Sequence, residues 1–274
     1  MLEQLKYVNH LGEVIEFGKK GIFANSNDLR DYEWTYDSSR SRAENFRKGV
    51  VQKTIPVVIS AESKKKCINI KNRLYEVCEK DIIAEQKGKL YIGDYYLECY
   101  VYSSAKSNYL DTGTTINISL KVVADRSKWI KKESFVFMHD DSFNVDGKGY
   151  EYGYDYDYSL LGIHVASLNV EDICDCDFTL KICGSAICPA VYIDGHLYNV
   201  NCMIDSDEQL IIDTKESTIS LIDSDGKIQN MFMYRNKESN IFMPLSPGSH
   251  IVAWNSDIDL YFTIIHERGE PAWI

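Results

Sequence analysis

The segment Lys89-Leu-Tyr-Ile-Gly-Asp-Tyr-Tyr-Leu-Glu-Cys-Tyr-Val-Tyr102 settles the fold class of the chain around it. Two runs of apolar and aromatic residues flank Gly93-Asp94, a two-residue link of the kind a tight primed turn requires, so the segment reads as a β-hairpin. Downstream, residues 114–124 alternate Ile116, Ile118, Leu120 and Val122 with Asn117, Ser119 and Lys121, the pattern of a strand buried on one face. Upstream, residues 50–60 are rich in β-branched side chains but contain Pro56, which cannot donate to a ladder and places this run at a sheet edge or a bulge. Between them lies one helix, predicted over residues 62–84. Cys67, Ile70, Leu74, Val77, Cys78 and Ile82 follow steps of three and four and form an apolar stripe. The run Lys64-Lys65-Lys66 opposes the positive end of the helix dipole and argues for a later start than the stripe suggests.

The second half shows short apolar runs with turn signals about every ten residues, at 178–183, 190–193, 196–200, 209–213, 218–222, 228–234, 249–254 and 258–266. That rhythm predicts a β-sandwich. Asp194-Gly195 and Asp225-Gly226 supply the positive-φ residues that hairpin turns need. The expected fold is therefore mainly β with one helix. A barrel-like or sandwich-like N-terminal domain covers 1–133 and a second sandwich covers 134–274, with the boundary between Trp129 and Phe135. Residues 1–23 alternate poorly and include Gly12, Gly18 and Gly21, which suits a hairpin or arm packing on another subunit.

Composition agrees. At about 150 residues per domain, 274 residues make two domains, and 45% hydrophobic residues with only 5 prolines exclude a disordered or collagenous chain. The net charge of −11 is uneven. Residues 1–133 hold 17 Lys and 6 Arg against 18 acids, a net of +5, while residues 134–274 hold 5 Lys and 2 Arg against 23 acids, a net of −16. The acidic half repels nucleic acid and anionic membrane, and the basic half is too mildly charged for DNA binding. The longest uncharged stretch, 18 residues at 239–256, is broken by Pro244, Pro247 and Gly248, so no membrane span is expected. With no secretory leader evident, the eight cysteines are expected as mostly unpaired thiols in a reducing cytosol.

Chemistry-bearing motifs are sparse. Cys174 and Cys176, with Cys183, Cys188 and Cys202 nearby, invite a zinc reading, because thiolates are soft ligands. Strand periodicity explains them as small core residues on one face with Phe178, Leu180 and Ile182, and no Cys-x-x-Cys occurs. His10, His139, His164, His196, His250 and His266 stand apart, so no metal and no cofactor is expected. The acidic stretches 140–149 and 223–226 read as solvated turns: with Gly147 sixth in a calcium loop, Gly153 falls twelfth, where an acid is needed. Tyr150, Tyr152, Tyr154, Tyr156 and Tyr158 alternate with Glu151, Gly153, Asp155 and Asp157. Such a row packs across a sheet or stacks on a sugar, with Tyr152, Tyr154 and Tyr156 as the candidates for glycan stacking. Nucleophile-elbow, zinc-protease, phosphate-loop and dinucleotide motifs are missing, so no catalytic residue is assigned and no enzyme is expected. Arg40, Arg42, Arg47 and Lys48 form a polar run that faces either a neighbouring subunit or tube protein, or water.

The order of these features carries a resemblance. A helix, the hairpin at 89–102, Trp129-Ile130, the row Tyr154-Asp-Tyr156-Asp-Tyr158, the run Pro189-Ala-Val-Tyr-Ile-Asp-Gly195-His-Leu-Tyr-Asn-Val-Asn, and the closing Glu267-Arg268-Gly-Glu270-Pro271-Ala-Trp273 together resemble the distal tail protein family of long-tailed bacteriophages. One departure is Gly269, where related chains commonly carry Ser. The resemblance implies an N-terminal domain that closes into a homohexameric ring at the tail tip and a peripheral galectin-like sandwich. It implies as partners the tail tube protein, a tail-associated lysin or fibre protein and, in many relatives, receptor-binding proteins. The location it implies is the virion, after synthesis in the host bacterial cytoplasm. The alternative is a lectin-like, carbohydrate-binding adhesion module using the tyrosine row.

Overall fold

Alternating apolar and polar side chains shape most of the chain into strands. The computed structural model describes residues 4–24, 27–107, 113–139, 163–255 and 257–273. The chain divides into two compact units, Met1–Lys131 with Glu267–Ile274, and Lys132–His266. The closing segment thus belongs with the first unit, whereas the sequence reading ran the second domain to residue 274.

The first unit contains β1 (Leu5–Val8), β2 (Val14–Phe17), β3 (Ile22–Ala24), β4 (Thr35–Ser39), β5 (Arg42–Arg47), β6 (Val51–Ser60), α1 (Lys64–Ala84), β7 (Gly88–Ile92), β8 (Tyr95–Ser107), β9 (Thr115–Ala124) and the start of β10 (Trp129–Phe137). The hairpin read at 89–102 is present as β7 and β8, with Ile92 opposite Tyr95 and Gly93 at φ 56° in the two-residue turn. β8 is 13 residues long, and a register shift between Val101 and Ser103 lets it pair first with β7 and then with β9. β6 pairs along its whole length with β9, but with β3 only at Val57 to Ile59. Pro56 lies just beyond that short pairing, on the stretch of β6 that β3 does not cover.

Two sequence expectations fail here. β1 and β2 do form a hairpin, but not one reserved for another subunit: β1 also pairs with β7, and Tyr7, Ile15, Phe17 and Ile22 lie in the core of their own unit. The helix does not start late. It begins at Lys64, because the Ser63 hydroxyl accepts the Lys66 N–H and the Glu62 carboxylate pairs with Lys66, offsetting the three lysines. Its buried face is Cys67, Leu74, Val77, Cys78 and Asp81, while the expected Ile82 is exposed.

The second unit holds the rest of β10, then β11 (Ile163–Val170), β12 (Asp177–Cys183), β13 (Ala186–Ile187), β14 (Ala190–Ile193), β15 (His196–Asn199), β16 (Met203–Ile204), β17 (Gln209–Asp213), β18 (Thr218–Ile222), β19 (Ile228–Asn230), β20 (Gly248–Asn255) and most of β21 (Asp259–Arg268). One sheet runs β19-β18-β17-β12-β21, and a second runs β11-β20-β14-β15. Phe178, Leu180, Ile182, Leu210, Ile212 and Phe262 from the first share a core with Val191, Ile193, Val252 and Trp254 from the second, which is the expected sandwich. Asp194 and Gly195, at φ 49° and 83°, make the primed turn between β14 and β15. The run 228–234 is a strand for only three residues before a short 3-10 helix at Phe232–Tyr234. Cys174 is exposed, ahead of β12, rather than on the buried face with Cys176. No disulfide joins the eight cysteines, and no described helix is long and apolar enough to cross a membrane.

Candidate functional site

The least buried element of the first unit is the β4–β5 hairpin, in which every residue is exposed. Trp34, Tyr36 and Phe46 are 46%, 58% and 57% exposed, Tyr32 just before them is 60% exposed, and the rings of Tyr36 and Phe46 touch at 5.7 Å. The turn is made by Arg40 and Ser41 at φ 43° and 73°. Left-handed backbone costs a residue with a Cβ about 1–2 kcal/mol, and an isolated two-stranded hairpin is marginal in water. The hairpin thus combines an unfavourable turn with a cluster of aromatics facing solvent, the kind of exposed apolar patch that marks interaction surfaces.

The four cations singled out by sequence fall on or beside it, in different roles. Arg40 occupies the turn and Arg42 opens β5, both exposed. Arg47 reaches across to Asp37 at 2.5 Å, and this bond, with one from Asn45, holds the Asp37 carboxyl below its ordinary range. Lys48 turns inward: its ammonium lies 4.6 Å from the Trp34 ring centroid, and burial, reinforced by nearby Lys128, lowers its pKa.

The closing motif forms a second feature of this unit. Lys128 pairs with Glu267, and Arg268 and Gly269 follow, half-buried. A Cβ at Gly269 would meet only the mobile end of Lys48, so the common Ser of related chains is sterically cheap here. The Pro271 carbonyl accepts from the Arg30 guanidinium at 2.5 Å, Arg30 covers the Trp273 ring at 3.9 Å, and Trp273 Nε1 donates to Glu270 at 2.7 Å. Leu5, Phe17, Phe23, Tyr32, Ile92 and Trp273 line an open groove of about 970 Å³ beside this clasp. Of the other motif positions, Trp129 is core of the first unit, and Pro189 is buried with its carbonyl accepting from Asn199. Tyr152, Tyr154, Tyr156 and Tyr158, like the acidic stretch 140–149, lie outside the described residues. The other acidic stretch is a turn in which Asp223 accepts the N–H groups of Asp225 and Lys227.

Sequence reasoning missed how the histidines are used. His10 lies 2.5 Å from Asp81, His139 2.9 Å from Asp259, His250 2.6 Å from Asp194 and His266 2.9 Å from Asp172. The Ile251 N–H and then His250 hold Asp194 below its ordinary pKa. It also missed Asp81, although that residue lies three positions beyond Cys78 on the same helical stripe.

The fold these units make is that of phage baseplate hub proteins. The chain is similar to SPP1 Dit, described as a paradigm of the hub adsorption apparatus in phages infecting Gram-positive bacteria, with 8% identity and a TM-score of 0.59 over 98% of this chain and 100% of that one. It is similar to chains of the phage P2 baseplate in its activated conformation with calcium or strontium, with 12% and 13% identity and a TM-score of 0.62 over 99% of this chain and 100% of those. No protein-family model and no curated protein sequence matches it.

Proposed function

We propose that this chain is a hub subunit of a phage or prophage tail tip, acting by assembly rather than turnover. Its first unit closes with other copies into a ring of six, and the ring joins the tail tube protein to a tail-associated lysin or fibre protein. Receptor-binding proteins attach at its periphery. The observation that carries the reading is the uncovered β4–β5 hairpin, on a chain that matches hub folds along nearly its full length. A copy of the same chain is the natural cover, because a ring closes only when one surface repeatedly meets a different surface of its neighbour.

Native mass spectrometry and sedimentation of the full chain test this. The expected species has about six times the 31.5 kDa subunit mass. Replacing Tyr36 and Phe46 by Asp leaves the circular-dichroism spectrum unchanged and yields subunits of single-chain mass, and charge reversal at Arg42 and Arg47 weakens tube binding. A wild-type chain that stays monomeric alone and with tail partners, or an aspartate variant that still forms rings, overturns the reading.

A further inference from the structure

Within the second unit, three side chains far apart in sequence converge. Asp172 stands on the link between β11 and β12, Cys176 immediately before β12, and His266 near the end of β21. Their donor atoms form a closed triangle: Asp172 Oδ2 to His266 Nδ1 2.9 Å, Cys176 Sγ to Asp172 Oδ2 3.4 Å, and Cys176 Sγ to His266 Nδ1 3.9 Å. All three are shielded from solvent, the side chains of Asp172 and His266 being 3% and 5% exposed and Cys176 2%. Among the described residues this is the one group of acid, thiol and imidazole donors close enough to share an ion.

We propose that Asp172, Cys176 and His266 bind a zinc-class divalent ion. Tetrahedral zinc, at about 2.0–2.3 Å from oxygen, nitrogen and sulfur donors, sets neighbouring donors about 3.3–3.6 Å apart. The observed triangle departs from that by a few tenths of an ångström, within reach of small side-chain rotations. A thiol with an imidazole selects zinc or a similar transition metal over calcium or magnesium, and three protein ligands leave a fourth position for water or another donor. The other imidazole nitrogen supplies independent support. His266 Nε2 lies 3.2 Å from the Glu133 carboxylate, the carboxylate–histidine arrangement that orients metal-bound imidazoles. Cys176 is itself held in place, its N–H donating to the Leu245 carbonyl at 2.8 Å and its carbonyl accepting the Leu245 N–H at 2.9 Å. On binding, the Cys176 sulfur–proton bond is exchanged for a bond to the ion and that proton passes to bulk water, while the imidazole keeps its own proton on Nε2, so uptake acidifies an unbuffered solution.

The alternative occupant is no ion at all, the triangle serving as a hydrogen-bonded tie. The test uses the full chain, stripped with chelator and dialysed against zinc(II) or cobalt(II). The wild-type chain is expected to retain about one ion per subunit, to melt higher when loaded, and to show a thiolate-to-cobalt charge-transfer band in the near ultraviolet. Cys176→Ser loses that band while the exposed control Cys188→Ser keeps it. Glu133→Gln, which touches no ion, weakens zinc binding about 10- to 100-fold. Circular dichroism checks the fold of each variant, and the wild-type cobalt spectrum decides independently if Cys176→Ser misfolds. No retained metal in the wild-type chain, or a cobalt band unchanged in Cys176→Ser, overturns the proposal; ring formation does not enter either outcome.

Discussion

Removing the Tyr7 hydroxyl is predicted to loosen the first unit through a single buried carboxylate. Asp81, fully buried on the last turn of α1, accepts the Tyr7 hydroxyl at 2.5 Å and the His10 backbone N–H at 2.9 Å, and lies 2.5 Å from His10 Nδ1. Tyr7 lies on β1 and His10 follows it, so this network ties the β1–β2 hairpin to the helix. A hydrogen bond to a charged group contributes about 1.5–3 kcal/mol, and a buried acceptor that loses its donor cannot turn to water. Tyr7→Phe should therefore destabilise the unit by about that amount, which is about a 10- to 150-fold faster exchange of protected amides in α1 and β1. Hydrogen-exchange mass spectrometry separates those peptides from β12 and β17 of the second unit, which serve as internal controls. Asp81→Asn should cost at least as much, because the amide nitrogen cannot accept. The two changes together should fall short of their sum by about 1.5–3 kcal/mol, since both remove the same bond. Additivity within about 0.5 kcal/mol, or unchanged exchange in Tyr7→Phe, would refute the reasoning.

Gly88 presses on the same network. A Cβ there would overlap the Tyr7 hydroxyl and the Asp81 carboxylate, which hold each other in place, so Gly88→Ala should cost about 1–3 kcal/mol by overpacking, read as a lower midpoint in urea. Alkali should unfold the chain through buried neutral groups. Burial pushes the Cys78 thiol up to about 12 from its ordinary 9, Asp81 adding to it, and burial with the bond to Asp81 raises the Tyr7 phenol. A raised pKa gives stability that is complete below the unfolded value and is lost as pH climbs through the folded one. Stability should thus be flat to about pH 9 and fall by about 1.4 kcal/mol per pH unit between about 9 and 12 through Cys78, with Tyr7 steepening the fall above its ordinary value of 10. Cys78→Ala should shallow that slope in denaturation curves measured across the range.

The fold was legible where the signal is local. The alternation of residues 114–124, the Gly93-Asp94 and Asp194-Gly195 turns and the stripe from Cys67 to Cys78 each needed only their own neighbours to be read, and each stands in the structure. The failures are long-range. Residues 5–17 look irregular because β1 and β2 are four residues each, too short for alternation to show, yet β1 pairs with β7 and β2 with β1, and Tyr7, Ile15 and Phe17 are buried. Ile82 faces outward because the place on the stripe is taken by Asp81, a choice set by Tyr7 and His10, 74 and 71 residues away. The β4–β5 cations were visible as a charge run, but only the fold shows that Arg47 is engaged by Asp37 and that Lys48 lies against Trp34. The Cys176 and His266 donors, 90 residues apart, meet only once β12 and β21 pair.

Magnitudes decide what can hold copies of this chain together. Each carries a net −11, and two such charges about 30 Å apart repel by about 17 kcal/mol in salt-free water but only about 1 kcal/mol at 0.1 M salt. Like-charged copies therefore gain nothing at long range, and their attraction must come from surface they bury. The four aromatics on and beside the β4–β5 hairpin, at about 150–250 Å² each and about half exposed, offer about 400 Å² and hence about 10 kcal/mol. That is comparable with the 4–15 kcal/mol lost to association entropy, so a single contact is marginal. In the ring proposed above each subunit would make two such contacts, one with its own hairpin and one with its neighbour's, while the last subunit would close both at once. Burial of this size favours complete rings and single subunits over open chains of intermediate length, and salt should promote closure rather than oppose it.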